Sequence, residues 1–192
     1  MKKLFTFCFI GFFLLINPGF AKKYYNTPFL EKVVRTPAVE TDTKIAIDKN
    51  GVYKDPLMSI TWNPDPLGFF FELTNESDST ISVIWDECFL VISICKYTIV
   101  HGGIKDIRVI PPTNIAPQNK LTDFVYPAAF ARYIRGRYTE QRHKVIYKSK
   151  VKKQAMDTNS FTPQLFTATL TLKSGDNQYV YHFHFKTELV EK

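Results

Sequence analysis

The chain has few of the features that announce an enzyme. GxSxG, HExxH and a phosphate-binding glycine loop are all missing from its 192 residues, so the local signatures of serine hydrolases, zinc peptidases and nucleotide-binding loops are not present. Cysteine is scarce: Cys8, Cys88 and Cys95 are the whole complement. Their spacing excludes a redox-active CxxC pair and leaves none suited to be a nucleophile. No long amphipathic helical pattern alternates with strands, which argues against a parallel α/β fold. Only one apolar run is of notable length, and it lies at the N-terminus.

Lys2 and Lys3 precede an uncharged stretch from Leu4 to Ile16, which Asn17, Pro18 and Gly19 break. Small residues at Gly19 and Ala21 suit cleavage after Ala21, the pattern of a secretory signal over residues 1–21. The run is short for a membrane span, which needs about 20 residues. Cys8 lies too early for lipid attachment and lacks small residues before it. The expected product is exported to the periplasm or cell envelope, or secreted, with no transmembrane span after processing. It starts at Lys22 and has 171 residues, enough for one domain with a real core. Its 23 basic against 18 acidic residues give a net charge of +5.

What is plentiful points to strands. Seventeen Phe and ten Tyr suit a pleated, half-buried surface, and eleven Pro with Asn/Asp/Gly clusters supply turns. Residues 22–43 read as an extended lead-in without periodicity. Residues 44–192 read as one domain of about eight strands. Ile45 and Ile47 share a face before the Lys49-Asn50-Gly51 turn. Met58, Ile60 and Trp62 alternate up to a break at Asn63-Pro64-Asp65-Pro66. Strands are expected over Gly68–Asn75, Thr80–Val91, Tyr97–His101, Ile107–Ile110 and Leu121–Tyr126. At the C-terminus Tyr179, Tyr181, Phe183 and Phe185 alternate with Val180, His182, His184 and Lys186. Phe166–Lys173 alternates before the intervening Ser174–Asn177 turn, so the two form an antiparallel hairpin with one buried face. The fold class expected is an antiparallel, immunoglobulin-like β-sandwich, with residues 128–160 an irregular or partly helical basic insertion.

The middle of the chain, FFFELTNESDSTISVIWDECFLV followed by YTIVHGGI and IPPTNIAPQNKLTDFVYP, resembles small bacterial envelope proteins and lipoproteins of largely uncharacterised function. The likeness covers about residues 58–127. Its shared marks are the strand ending in L-x-N, Ile81, Val83 and Trp85-Asp86, the His101-Gly102-Gly103 segment, and P-x-x-I-x-P before a strand ending in Pro127. The resemblance implies a sandwich domain and says little of activity. Many such relatives carry a lipobox, which this chain lacks, and residues 128–160 have no counterpart in the likeness.

Three groups of residues are candidates for function. From Arg132 to Lys153 nine basic residues face one acid, Glu140, so the segment's +8 exceeds the charge of the processed chain. Arg132, Arg135, Arg137, Lys150, Lys152 and Lys153 are the expected electrostatic contacts, with Tyr133 and Tyr138 as stacking or packing groups. Such a patch attracts anions, and after export those are envelope components or an acidic envelope protein, with nucleic acid not expected. The alternative is a solvated loop that keeps the protein soluble. His182 and His184, at i and i+2 on one strand face, make a metal pair if a third ligand comes near; otherwise they are polar residues on a wet face. Trp85, Asp86 and His101 form either an Asp–His pair of catalytic use or a structural set in which the Trp anchors the core.

In an oxidising compartment Cys88 and Cys95 are candidates for a disulfide. A hairpin centred near Val91 and Ile92 would set them opposite each other. The alternative is two buried thiols. No cofactor is expected. The leading reading is a non-enzymatic binding or scaffolding module. The others are a metal-binding protein or metal-dependent hydrolase, and an assembly accessory that works by β-strand addition.

Overall fold

The computed structural model describes residues 23–37, 46–47, 51–65, 68–102, 110–134, 137–140, 151–152 and 163–191. The expected strand over Ile107–Ile110 lies outside these residues except for Ile110.

Among the described residues fifteen strands run in chain order. They are β1 (Lys23–Thr36), β2 (Ala46–Ile47), β3 (Val52–Lys54), β4 (Met58–Asp65), β5 (Gly68–Asn75), β6 (Ile81–Val83), β7 (Phe89–Ile92) and β8 (Cys95–His101). After them come β9 (Thr113–Ile115), β10 (Lys120–Pro127), β11 (Ala131–Ile134), β12 (Arg137–Glu140), β13 (Val151–Lys152), β14 (Leu165–Ser174) and β15 (Asn177–Glu191). Thirteen of them form one antiparallel sheet in the order β13-β1-β15-β14-β7-β8-β10-β5-β4-β3-β2, with β6 on β14 and β9 on β6.

The mostly antiparallel β class read from the sequence is observed, but the strand path is that of a nearly closed, barrel-like sheet. An immunoglobulin-like sandwich keeps its two sheets separate. Here β8 joins them: Cys95–Thr98 pair with β7, and Ile99–His101 pair with β10. The ladder therefore continues around the core.

The core follows from period-2 alternation. On β5, Phe69, Phe71 and Leu73 are buried, and on β15 Tyr181, Phe183 and Phe185 are. Trp62 of β4 is the meeting point, with ring centroids 5.1 Å from Phe71, 5.2 Å from Phe183 and 5.7 Å from Phe185. Offset and edge-to-face packing of this kind adds about 0.5–1.5 kcal/mol per pair beyond area burial. Gly68 is needed where β5 begins, because a Cβ there would lie 2.5 Å from the Val125 carbonyl oxygen and 2.7 Å from the Phe124 ring. The β14–β15 hairpin turns through Gly175, whose φ of 58° is in the left-handed region.

Several elements depart from the sequence reading. Residues 23–36 are not a lead-in outside the domain: β1 is hydrogen-bonded to β15 along most of its length. Asn63-Pro64-Asp65 does not end β4, which continues to Asp65 with Pro64 opposite Phe69. The expected single strand Thr80–Val91 is broken into β6 and β7 by a 3-10 turn at Trp85–Glu87. The buried Trp85 ring continues the face of Ile81 and Val83, and the turn interrupts the strand only after it. Within 128–160 the described residues are extended apart from one 3-10 turn, Ala128–Phe130, and the rest of the segment lies outside the described residues. The described ones form the β11–β12 hairpin and β13.

Candidate functional site

The basic segment is divided by the fold. Arg132 and Tyr133 lie on β11, and Arg137 and Tyr138 on β12. These two strands make a sheet of their own, with Tyr133 opposite Tyr138, Ile134 opposite Arg137 and Arg132 opposite Thr139. Lys152 belongs to a different element: β13 pairs with the start of β1, with Lys152 opposite Lys23. Arg135, Lys150 and Lys153 lie outside the described residues. The hairpin thus brings together four of the eight named residues in one small unit, and sets Lys152 at an edge of the main sheet.

His182 and His184 do share the outer face of β15. Each is held by a threonine of β14 directly opposite: His182 Nδ1 lies 2.9 Å from Thr169 Oγ1, and His184 Nδ1 lies 3.1 Å from Thr167 Oγ1. Their ring centroids are 6.5 Å apart. Burial, followed by the nearby charges of His182 and Lys32, holds the His184 pKa below the ordinary histidine value. Among the described residues no group of three or more His, Cys, Asp and Glu is placed to hold a metal ion.

The Trp85–Asp86–His101 set is assembled differently from the Asp–His reading. Asp86 is exposed, and the carboxylate bound to His101 is Asp123 of β10, with its Oδ2 2.8 Å from His101 Nδ1. The Trp85 indole stacks on the imidazole at 4.3 Å and 11°, and its Nε1 donates to Thr113 Oγ1 at 2.8 Å. Asp123 Oδ1 also accepts the Gly102 and Phe124 amides at 3.0 and 2.7 Å. This half-buried carboxylate ties the end of β8 to β10 through His101 and the Gly102 amide.

The chain matches no family model, no curated protein and no solved structure.

The cysteines are not joined. The β7–β8 turn is Ser93-Ile94, with Ile92 opposite Cys95. That is two residues later than a turn that would pair Cys88 with Cys95. Continuing this register puts Cys88 about four residues along the ladder from Cys95, roughly 13 Å at the usual rise per residue. A disulfide needs Cα atoms within about 7 Å. Both thiols are free, with Cys88 buried and Cys95 exposed. The Cys88 thiol donates to the Ile84 carbonyl at 3.2 Å and accepts the Thr171 amide at 3.4 Å. Burial is the main cause that pushes its pKa up to about 12.

Sequence reading missed one polar centre altogether. Asp55, in the turn after β3, accepts from Arg35 Nη1 at 3.0 Å, Tyr53 Oη at 3.1 Å and Tyr181 Oη at 2.7 Å through Oδ2. Its Oδ1 accepts the Leu57 and Met58 amides, each at 2.8 Å. The side chains of Arg35 and Asp55 keep only 10% and 8% of their exposure. The Arg35 guanidinium also lies over the Tyr179 ring at 4.3 Å. β1 and β3 have no backbone ladder between them among the described residues, so this ion pair closes the seam of the curled sheet. The only local signal was the Asp55-Pro56 pair, which reads as a turn.

Proposed function

We propose that this chain is an exported, non-enzymatic binding or scaffolding module of a bacterial cell envelope, of the kind its middle segment resembles. It engages an anionic envelope component, or an acidic envelope protein, through Arg132, Tyr133, Arg135, Arg137, Tyr138, Lys150, Lys152 and Lys153. One observation carries the reading: the β11–β12 hairpin is a separate two-stranded sheet within the most positively charged stretch of the chain. An element outside the core ladder is free to be selected for contact, and a net +8 segment concentrates anions around it.

The test is capture from the cell envelope at low and high salt, beside a variant with Arg132, Arg135, Arg137, Lys150, Lys152 and Lys153 changed to Gln. A partner held at low salt, released at high salt and lost in the variant is the expected outcome, since screening shortens the reach of such charges to about 8 Å at physiological ionic strength. Equal capture by both proteins refutes it.

A second reading, strand addition, is favoured by β1. Beyond the Lys23 and Tyr24 contacts with β13, its outer edge has no partner strand among the described residues, and such an edge is a template for pairing. Binding by that route would be insensitive to salt and abolished by proline in β1. The metal reading of His182 and His184 lacks a third ligand among the described residues.

A further inference from the structure

The two ends of the barrel differ in character. At one end lie the β5–β6, β9–β10 and β14–β15 turns. They are drawn together by the Ser79–Ser174 hydroxyl contact at 3.0 Å and by the Asn75 amide, which donates to the Asn119 carbonyl at 3.0 Å. These turns are polar, and Asp78 and Asp176 stand exposed on them. At the other end β14 begins, at Leu165, and β7 turns into β8. Of the four large hydrophobic side chains exposed among the described residues, Ile94, Leu165 and Phe29 lie at this end. The fourth, Phe70, is packed on the Phe124 ring at 4.3 Å.

Ile94 is 96% exposed. It belongs to the two-residue turn Ser93-Ile94, where Ile92 stands opposite Cys95. Ser93 takes a φ of 57°, a conformation usually left to glycine at the first position of such a turn. The Ser93 amide donates to the Leu165 carbonyl at 3.2 Å, so the turn is fixed to the start of β14 and its tip projects. Turn tips are ordinarily polar, and the fold gains almost nothing from an apolar side chain that it leaves in water. Behind the tip the outer wall is ordered in rows. The nearest row holds Phe29, Lys186 and Leu165. The next begins at Lys32 on β1 and ends at Lys96 on β8. These three lysines outnumber the acids beside them, Glu188 and the bulge residue Glu31, which lies 3.6 Å from Lys186.

The larger charge comes from the basic segment. It leaves the barrel at this end: β10 finishes at Pro127, Ala128–Phe130 follows, and the Phe130 ring lies 5.5 Å from that of Tyr97, three residues after Ile94. It rejoins the sheet beyond the same end, where β13 pairs with Lys23 and Tyr24 of β1. The nine basic residues and one acid from Arg132 to Lys153 are thus tethered by both flanks to the end that bears Ile94. An apolar projection in a cationic surround matches a bilayer with anionic headgroups, since the apolar group enters the headgroup–acyl boundary while the cations stay among the headgroups. A protein partner would instead have to offer a pocket for the tip.

Resting on the reading of the basic segment as an anion-binding surface, we propose that this end of the barrel docks on an anionic lipid bilayer, with Ile94 inserted beside Leu165 and the basic segment over the headgroups. Neither part is sufficient alone, because stable membrane anchoring takes two signals.

The experiment is vesicle flotation of the chain from Lys22, which contains every described residue. One set of vesicles holds phosphatidylglycerol and phosphatidylethanolamine in equal parts, the other phosphatidylcholine alone. An environment-sensitive dye on the exposed Cys95 thiol, next to Ile94, reads insertion, and the buried Cys88 stays unlabelled. The anionic vesicles should carry the protein and shift the dye emission to the blue, and phosphatidylcholine should do neither. Ile94→Ser, at an almost fully exposed position, should keep the wild-type Tm and weaken partitioning about tenfold, the order expected for losing the burial of one aliphatic side chain. Flotation that is lost in the six-site Gln variant but unchanged in Ile94→Ser, with no dye shift, overturns the insertion and leaves the anion-binding reading standing. Absence of flotation while envelope capture still yields a salt-sensitive protein partner does the same. Absence of both removes the anion-binding reading itself. If Ile94→Ser changes the sedimentation of the protein without vesicles, the tip is a contact between copies and the proposal is overturned.

Discussion

Replacing Asp55 by Ala removes the acceptor of five hydrogen bonds at one stroke. The magnitude follows from what is left behind. Arg35 keeps its charge in a site where its side chain is 10% exposed, and its Nε already has no partner. Breaking a buried pair by deleting one member costs about 3–5 kcal/mol, because the surviving charge is uncompensated. Tyr53 and Tyr181, both fully buried, lose their hydroxyl partner as well. The reverse deletion, Arg35→Met, leaves Asp55 with four donors. It should cost only about 1.5–3 kcal/mol, the value of a hydrogen bond to a charged group. Urea unfolding with a shared slope gives both numbers, and D55A should lower Tm by about 6–20 °C in a domain of this size. If D55A costs under about 1 kcal/mol, or less than R35M, the ion pair does not close the seam between β1 and β3 and the argument fails.

Four further outcomes follow from the same structure. Tyr53 and Tyr181 have folded-state pKa values raised above the ordinary tyrosine value, chiefly by burial and then by Asp55. Their contribution is complete below about pH 10 and is lost as pH rises beyond it, by up to about 1.4 kcal/mol per pH unit for each ring; phenolate absorbance that appears well before unfolding would contradict this. Of Cys88 and Cys95, a thiol reagent at pH 8 should label Cys95 at once and Cys88 only on unfolding, and equal rates would show the burial to be wrong. Gly68→Ala should destabilise by about 1–3 kcal/mol in thermal denaturation, since its Cβ meets the Val125 carbonyl oxygen at 2.5 Å; an unchanged Tm would refute the close approach. Asp123→Ala leaves His101 and two amides without their acceptor, so it should cost about 1–3 kcal/mol and shift the fluorescence of Trp85, whose ring lies on His101.

Local pattern was enough to find the strands whose two faces differ. β5 coincides with the GFFFELTN segment, and the β14–β15 hairpin has the register that its alternation and its Gly175 turn require. Alternation says nothing about where a strand's partners lie. For this reason Lys23–Thr36, a mixture of charge, Pro and Thr, read as a lead-in. It is a sheet strand because β15 supplies a long ladder for it. Alternation also fails wherever the chain leaves the pleat. The 3-10 turn at Trp85–Glu87 divides a seemingly continuous strand, and the extra residue at Glu31 sends two neighbouring charges to one face.

The site residues divide along the same line. That His182 and His184 share a face is a matter of spacing on one strand, and the sequence determined it. It also determined the concentration of positive charge between Arg132 and Lys153, which is a property of composition. Only the tertiary structure decided that Cys88 and Cys95 stay apart, because the turn position sets the register. Only it chose Asp123 over Asp86 for His101, and placed Asp55 against Arg35, Tyr53 and Tyr181 across separations of 20, 2 and 126 residues. The physical reason is that periodicity fixes which way a side chain faces, while the partner it meets depends on how the whole sheet curls around its aromatic core.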